Sequence, residues 1–395
     1  MILSMARQSV LGELQSLGVH PASIEIFTNK AEIIPLKLVN IRTPAANIIK
    51  QEMLAAGGDC AIPAGCVVCK TERVDAILLG TRKHYKRLLV KLRAMDYFGL
   101  TALADELAVM LDTQTPSTLL ADGRRITYEK TRVMGIINVT PDSFFTPSRA
   151  EEDLLLRAER MLADGADILD LGGESTRPGS APVGAVQEQE RVLPAVAALR
   201  KAFGQAIISV DTYRAETARL ALAEGADIIN DITALTGDAA MQPLVCRTKT
   251  PVVLMHMRGT PADMQNKCQY DNVVDEVAAY LFERMRTLQA EGFAKDKVIL
   301  DPGIGFAKNT QQNLLLMQGL KALTGHGAPV LLAASRKKVV GDVLGELAAE
   351  ERLDGTMATT CQAVFAGANM VRVHDVKENV RIIRMLEAIL WAQRT

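Results

Sequence analysis

The segment Ile168-Leu-Asp-Leu-Gly-Gly-Glu-Ser-Thr-Arg-Pro-Gly179 begins as a short apolar run and stops at a dense cluster of polar residues. Seven other segments follow the same pattern: 136–144, 208–212, 228–231, 253–256, 299–303, 332–337 and 370–375. In a barrel of parallel strands the carboxyl ends of all strands share one rim, and the active site lies there. The polar residues that end these runs are therefore the expected active site.

The regular alternation of these runs with helical segments predicts the fold. Apolar runs begin near residues 133, 166, 206, 227, 251, 298, 329 and 370, and amphipathic helices separate them. Such alternation predicts parallel βα units, and uniformly apolar runs are typical of strands covered on both faces. Eight units predict a (β/α)8 TIM barrel over residues 116–395. A doubly wound open sheet is the alternative, but it places its chemistry at one switch point.

The pattern of residues 1–115 predicts a separate, small α+β domain, to which we assign no role. Strand-like segments at 33–41 and 74–80 alternate with helical segments at 44–56, 81–93 and 100–111. Within this part, Cys66-Val-Val-Cys69 has the spacing of a zinc or redox motif, but no second pair of ligands completes a zinc site. Val67 and Val68 favour an extended strand, so we interpret these cysteines as ordinary reduced thiols.

The composition excludes several classes of protein. Of 395 residues, 48% are apolar and 23% are charged, and the formal net charge is −1. This balance gives no general attraction to nucleic acid or to an anionic membrane. No apolar stretch approaches the roughly 20 residues that span a bilayer, and the N-terminus lacks a signal-peptide pattern. A cytoplasmic protein that acts on small molecules is the expectation.

The residue types at the rim suit a flat nitrogen heterocycle and an anion. There is no nucleophile elbow with a Ser-His-Asp set, which argues against covalent acyl chemistry. Carboxylate and amide side chains can bind the hydrogen-bonding edge of a planar heterocycle. Arg372 and His374 project to the same side of one strand and, with Arg177, could hold a phosphate or diphosphate. For any single rim residue, capping of the following helix remains an alternative role.

Seven motifs, in order and spacing, resemble those of the dihydropteroate synthase family. They are Asn138-Val-Thr-Pro-Asp-Ser-Phe144, Gly172-Gly-Glu-Ser-Thr-Arg-Pro-Gly179, Ser209-Val-Asp-Thr212, Asn230-Asp231, Asp301-Pro-Gly-Ile-Gly-Phe306, Ser335-Arg-Lys337 and Arg372-Val-His374. The resemblance covers about residues 116–395 and implies a transferase of folate biosynthesis. The family joins 4-aminobenzoate to the methylene of 6-hydroxymethyl-7,8-dihydropterin diphosphate, releases diphosphate, uses Mg²⁺ and usually forms homodimers.

The resemblance also implies a role for individual residues. Four positions match the pterin-binding residues of the family: Asp211, Asn230, Asp301 and Lys337. Further substrate-binding positions are Thr176, Arg177, Pro178, Phe306 and Ser335, with Ser335 near the aminobenzoate. Asn138 matches the metal-binding asparagine, and Arg372 and His374 match the diphosphate-binding pair. The expected catalytic residues are Lys337, Arg372 and His374, and helices around 356–366 and 378–390 are the expected dimer surface.

The chain departs from the family pattern at three places. A glycine-free segment, Phe145-Thr-Pro-Ser-Arg-Ala150, stands where the family has a flexible glycine-containing loop, and Ala307-Lys308 and Lys337-Lys338 replace Gly-Lys and Lys-Ser. Two alternatives therefore stay open. One is a pterin-binding methyltransferase, although a diphosphate pocket argues against it. The other is a pterin-binding homologue that has lost synthase activity.

Overall fold

The chain divides into two compact units. The computed structural model describes residues 5, 9–112, 115–139, 147–174 and 183–392. The first unit comprises Met1–Thr113 with Ala388–Thr395, and the second comprises Gln114–Glu387. From the sequence we placed one boundary near residue 115 and the whole C-terminus in the barrel. Residues Ala388–Thr395 are instead assigned to the first unit. This second boundary falls within the last helix, Val376–Leu390.

The first unit is a three-stranded antiparallel sheet packed against helices. Its elements are α1 (Val10–Ser16), α2 (Pro21–Thr28), β1 (Ile34–Arg42), α3 (Thr43–Ala56), β2 (Asp59–Ala61), β3 (Arg73–Gly80), α4 (Arg82–Arg93) and α5 (Leu100–Leu111), with strand order β1-β3-β2. Burial alternates strictly along β3, so one face of the sheet forms the core. Helix α3 stops at Gly57, whose φ of 95° is the left-handed conformation that glycine adopts readily.

The segment around Cys66 is not the extended strand that Val67 and Val68 predicted. It is a 3₁₀-helix, Ala64–Val68, and Cys66 lies buried against Ala46 and Val74. Pro63 directly precedes this 3₁₀-helix. The Cys66 carbonyl accepts a hydrogen bond from Asn47 Nδ2 at 3.0 Å. Cys69 is exposed while Cys66 is buried, and burial raises the pKa of the Cys66 thiol. The strand prediction was wrong because local packing of one cysteine outweighed the β-propensity of two valines.

The second unit is a TIM barrel, as the alternating pattern predicted. After the hairpin β4 (Ser117–Leu119) and β5 (Arg125–Thr127), eight parallel strands follow: β6 (Arg132–Asn138), β7 (Ile168–Gly172), β8 (Ile207–Asp211), β9 (Ile228–Asp231), β10 (Val252–Met255), β11 (Val298–Asp301), β12 (Leu331–Leu332) and β13 (Met370–Val373). The sheet order is β11-β10-β9-β8-β7-β6-β13-β12. A parallel bridge between Leu300 and Val330 joins the two edges and closes the barrel.

Helices follow the strands and form the outer layer. They are α6 (Pro147–Ala163), α7 (Ala185–Ala202), α8 (Ala215–Ala223), α9 (Met241–Thr248), α10 (Val273–Ala290), α11 (Thr310–Gln318), α12 (Lys338–Val343), α13 (Leu353–Ala366) and α14 (Val376–Leu390). Helix α6 begins at Pro147, a residue that fits the first turn of a helix. Nowhere in the described ranges is a helix long and apolar enough to cross a membrane.

The inside of the barrel changes from apolar to polar along five of its eight strands. One residue of each strand contributes to an apolar layer at the amino end: Met134, Ile168, Ile207, Ile228, Val253, Ile299, Leu331 and Met370. Leu120, Ile126 and Tyr128 of the hairpin belong to the same apolar cluster. Because side chains alternate along a strand, the residues two positions later also face inward. Those residues include Asp170, Ser209, Asn230, Asp301 and Arg372, so a polar pocket begins directly above an apolar floor.

Candidate active site at the carboxyl rim of the barrel

Arg372 connects two carboxylates inside the barrel. Its Nε donates to Asp170 Oδ2 at 2.6 Å, and its Nη2 donates to Asp211 Oδ2 at 2.8 Å. Asp170 is fully buried and also accepts from Asn230 Nδ2 at 3.3 Å. Burial opposes the charge of Arg372, but Asp170 and Asp211 outweigh it and raise the pKa of the guanidinium. The strands β7, β8, β9 and β13 therefore bring four polar groups into one network.

Asp211 is the last residue of β8 and a member of this network. Burial raises the pKa of its carboxyl to about 7, although Arg372 acts in the opposite direction. Its side chain keeps only 13% of its surface exposed. A ligand that donates hydrogen bonds to this carboxyl favours its ionised form.

Asp301 ends β11, and Lys337, which directly precedes α12, contacts the tight turn that follows β11. Asp301 Oδ1 accepts from the Gly303 backbone N–H at 2.7 Å, and Lys337 Nζ donates to the Ile304 carbonyl at 2.5 Å. A Cβ on Gly303, whose φ is 69°, would overlap the carbonyl oxygen of His256, so only glycine fits there. Lys337 Nζ also lies 4.8 Å from the centre of the Phe306 ring. Burial lowers the pKa of Lys337 to about 8, while Asp301 opposes this shift.

A buried lysine, Lys308, forms hydrogen bonds with the same turn. Lys308 Nζ lies 2.8 Å from the Phe306 carbonyl, 3.0 Å from the Gly303 carbonyl and 3.0 Å from His256 Nδ1. Burial and the neighbouring Lys308 lower the pKa of His256 to about 2, so its imidazole is neutral and its Nδ1 accepts. Three acceptors match the three hydrogens of an ammonium group. Burial still lowers the pKa of Lys308 to about 7.

The unusual Ala307 belongs to this turn. Its φ is 51°, in the left-handed region, and its side chain is fully buried. The glycine of the family pattern would adopt this conformation without the cost of about 1 kcal/mol or more that an L-residue incurs. The departure at residue 307 therefore leaves the turn in place at some cost in stability.

Ser335 and His374 lie side by side after β12 and β13. Ser335 Oγ is 3.0 Å from His374 Nδ1 and accepts from the His374 backbone N–H at 3.2 Å. Next to them, Arg336 forms a two-point ion pair with Asp375, with donor–acceptor distances of 2.9 and 2.5 Å. Arg336 therefore stabilises the rim through Asp375. Ser335 and His374 contact each other beside this ion pair.

Three of the expected site residues, Thr176, Arg177 and Pro178, lie outside the described residues, as do Asp142 and the first part of the glycine-free segment. The two ends of 175–182 are described. The Val183 backbone N–H donates to Glu174 Oε1 at 3.1 Å, and Arg214 donates to both Glu174 and the Val183 carbonyl. Asn138, the expected metal ligand, is half-buried at the last position of β6.

Three residues of this site have no role predicted from the sequence. Asp170 is one of the polar strand ends but has no predicted partner, Lys308 is noted only within the Ala307-Lys308 departure, and Arg214 lies in none of the motifs. The signal for Asp170 was available, because it is the one charged residue in the otherwise apolar run Ile168-Leu-Asp-Leu171. A carboxylate in the middle of a buried strand needs a cationic or hydrogen-bonding partner. Lys308 and Arg214 give no comparable signal, since both stand at positions that look like exposed turns.

Known proteins share this architecture. The family model described as "Pterin binding enzyme" matches residues 134–374. The dihydropteroate synthase of Escherichia coli K12 is 42% identical over 277 residues, which are 70% of this chain and 97% of that protein. A solved dihydropteroate synthase from Burkholderia cenocepacia, complexed with 7,8-dihydropteroate, is 37% identical with a TM-score of 0.63, covering 70% of this chain and 98% of that one.

A third relative extends the similarity beyond the barrel. It is the probable bifunctional folylpolyglutamate synthase/dihydropteroate synthase of Halobacterium salinarum, 38% identical over 351 residues. The alignment covers 88% of this chain and 42% of that protein, so it extends into the first unit. On these similarities, and on the barrel and rim described above, the chain belongs to the pterin binding enzyme family, with the dihydropteroate synthases.

Proposed function

We propose that this chain condenses 6-hydroxymethyl-7,8-dihydropterin diphosphate with 4-aminobenzoate to give 7,8-dihydropteroate and diphosphate. The observation that carries the proposal is the pocket itself, where carboxylates and an amide meet Arg372 and Lys337 above an apolar floor. A flat heterocycle with a hydrogen-bonding edge and an anionic substituent matches both halves of such a pocket.

The pterin-binding roles follow from the chemistry of the groups. Asp211 accepts two hydrogen bonds from the amino-amidine edge of the pterin, while Asn230 and Lys337 bind its carbonyl and ring nitrogens. Asp301 lies beside Lys337 and completes the polar wall. Phe306 and Met255 pack in one apolar cluster next to this wall, which supplies a surface for the ring. Asp170 accepts a hydrogen bond from Arg372 and thereby positions the Arg372 guanidinium.

The reaction needs charge stabilisation more than a strong base. The C–O bond between the pterin methylene and the diphosphate breaks, and the electron-rich ring stabilises the positive charge left on the methylene. The neutral aniline nitrogen of 4-aminobenzoate forms the new C–N bond and then loses a proton to solvent. Arg372 and His374, with Arg177, stabilise the departing diphosphate, and Ser335 lies where the aminobenzoate approaches.

We infer that magnesium would bind at the rim as an ion shared with the substrate. Within the described ranges, no group of three His, Cys, Asp or Glu side chains could hold a metal. Mg²⁺ commonly takes one or two protein oxygens, several waters and substrate phosphate oxygens. Asn138 would supply the protein oxygen, and the ion would stabilise negative charge on the diphosphate.

Removal of Mg²⁺ is therefore expected to weaken the stabilisation of the diphosphate and to leave binding of the pterin ring unchanged. After treatment with EDTA, we expect product formation to fall at least tenfold and to recover on addition of Mg²⁺. Binding of 6-hydroxymethyl-7,8-dihydropterin, which lacks the diphosphate, should stay unchanged in calorimetry. An unchanged rate without the metal would contradict the assignment of Asn138.

A diphosphate-release assay separates the proposed function from its alternatives. We expect release that depends on 4-aminobenzoate. A methyltransferase would release no diphosphate at all, and a silent homologue would bind the pterin diphosphate without releasing diphosphate. Neither alternative is favoured by any feature of the site.

We also infer that the chain forms a homodimer through its late helices. Phe365 on α13 and Met385 on α14 are 56% and 62% exposed, which is unusual for large apolar side chains and typical of a contact surface. A cytoplasmic location remains a prediction from the composition.

A further inference from the structure

We propose that a groove in the first unit binds an acidic amphipathic helix of a partner protein. The groove is lined by residues of α2, the end of α3 and α4, and it holds about 670 Å³. It belongs to the unit for which the sequence predicts no role, and binding there does not depend on the reaction at the barrel rim. A row of cations along one edge and an exposed apolar lining carry the proposal.

Helix α4 supplies the row of cations. Its 12 residues include no Asp or Glu, and its three buried side chains belong to the core of the unit. Lys83, Arg87 and Lys91 line the groove and stand four residues apart, so they lie on one face of the helix. Along the helix axis they are separated by about 6 Å each. Lys86 is a fourth cation of the same edge.

These cations are available to an outside partner. Among the residues that the structure describes, only Lys86 of the four forms an ion pair: its Nζ lies 3.4 Å from Glu25 Oε1 on α2. Both side chains are well exposed, and an ion pair of this kind is weak. Glu52 on α3 is the single acidic residue of the described groove lining. Four cations therefore stand against one acid, which favours an anionic partner.

The rest of the groove is largely apolar. Ala55 and Ala56 at the end of α3 line it, together with Ile26 of α2 and Val90 of α4. Val90 is 71% exposed although it stands directly before Lys91, and Ile26 is 54% exposed. Exposed apolar surface rimmed by charge is typical of an interaction site. The ligand that matches it is apolar on one side and anionic along the adjoining edge.

Helix α2 and the size of the groove indicate that this ligand is a helix. The 8 residues of α2 include none that is buried, and a helix this short is marginal in water without packing, so cover over Ile26 would stabilise it. Two turns of a helix, about 10 Å wide and 11 Å long, occupy roughly 850 Å³. An open groove of about 670 Å³ takes most of that volume. Acidic residues four apart on the partner helix repeat every 6 Å or so, which matches the cations of α4.

Other kinds of partner fit this groove less well. A second copy of the chain in a two-fold contact would bring the same cations face to face. Nucleic acid is bound through many phosphates, and Glu52 with the apolar lining would oppose them. An anionic membrane binds a basic surface that it can meet along a plane, whereas the cations here edge a groove.

A designed peptide provides the test. The probe is a fluorescein-labelled peptide of about 15 residues, which form roughly four helical turns, with Glu at every fourth position and Leu beside it. A scrambled peptide of the same composition is its control, and binding to the full chain is measured by fluorescence anisotropy. We expect the helical peptide to bind at least tenfold more tightly than the scrambled one. Its affinity should fall as salt is added, because exposed charges are screened.

Exposed positions of α4 supply the variants. Val90→Asp adds a negative charge to the apolar lining, and Arg87→Gln combined with Lys91→Gln removes two cations. Each change should weaken binding of the helical peptide at least tenfold without changing the melting temperature of the chain. Arg93→Gln is the matched control, since Arg93 lies on the same helix outside the groove lining and pairs with Asp105 at 3.1 Å. It should change the affinity less than twofold.

Three results would overturn the proposal: no binding of the helical peptide, equal binding of the scrambled peptide, or unchanged affinity in Val90→Asp and in the double variant. Tighter binding of single-stranded RNA or of phosphatidylserine vesicles than of the peptide would overturn it as well, in favour of that partner.

Discussion

Replacement of Arg372 by alanine is expected to abolish product formation and to lower the free energy of unfolding by about 3–5 kcal/mol. Asp170 is fully buried, and Arg372 donates to it at 2.6 Å. Without the guanidinium, this carboxylate keeps only the weak contact from Asn230 at 3.3 Å. A buried charge that loses its partner costs far more than the net value of the pair. Asp211 loses the cationic neighbour that lowers its pKa as well, so the protonated form of this carboxyl becomes more favourable.

Urea unfolding and the diphosphate-release assay measure the two effects separately. Arg381→Ala, at an exposed position on α14, is the control and should change stability by less than about 0.5 kcal/mol. Combining Arg372→Met with Asp170→Asn should recover part of the lost stability, because the unpaired charge is gone, but it should not recover activity. Additive losses in the double variant would contradict the pairing of these residues.

Replacement of Lys337 by alanine is expected to weaken pterin binding at least 100-fold, which corresponds to about 3 kcal/mol. The ammonium group lies on the Phe306 ring and bonds the turn after β11, so its loss removes a ligand contact and loosens Ile304. Binding is measured by calorimetry with the pterin that lacks diphosphate. Lys338→Ala is the neighbouring control, because the Lys338 side chain is 80% exposed and pairs with Asp342. Unchanged affinity in Lys337→Ala would refute this pocket.

The pH dependence gives a second test of Lys337. Burial lowers its pKa to about 8. The ammonium form is present below that value and is lost as the pH rises through it, so pterin affinity should fall above pH 8 in the wild-type chain. Arginine stays protonated throughout, and Lys337→Arg should therefore show no such fall.

The barrel could be predicted because its signal repeats eight times. Each strand is a buried apolar run, and each run ends at polar residues, so the order of the strands and the rim follow from one rule. The apolar layer at the amino end and the polar layer above it also follow from the two-residue period of a strand. The strand ends place Asp211, Asn230, Asp301 and Lys337 at the rim, and the resemblance to the dihydropteroate synthase family implies their pterin-binding role.

What could not be predicted depends on contacts between distant parts of the chain. Asp170 pairs with Arg372 across 202 positions of sequence, and the pairing of β13 and β7 with β6 brings the two residues together. Lys308 looks like an exposed turn residue but is buried on three acceptors, and Cys66 takes a 3₁₀-helix because its side chain packs inward. In each example tertiary packing outweighed the local preference of the residue.

The fate of the aminobenzoate nitrogen tests the proposed synthase reaction. The full chain is incubated with Mg²⁺, 6-hydroxymethyl-7,8-dihydropterin diphosphate and 4-aminobenzoate labelled with ¹⁵N, and products are identified by mass spectrometry. We expect labelled 7,8-dihydropteroate and one diphosphate for every molecule of it. The absence of labelled product from a chain that still binds the pterin diphosphate would contradict the proposed synthase activity.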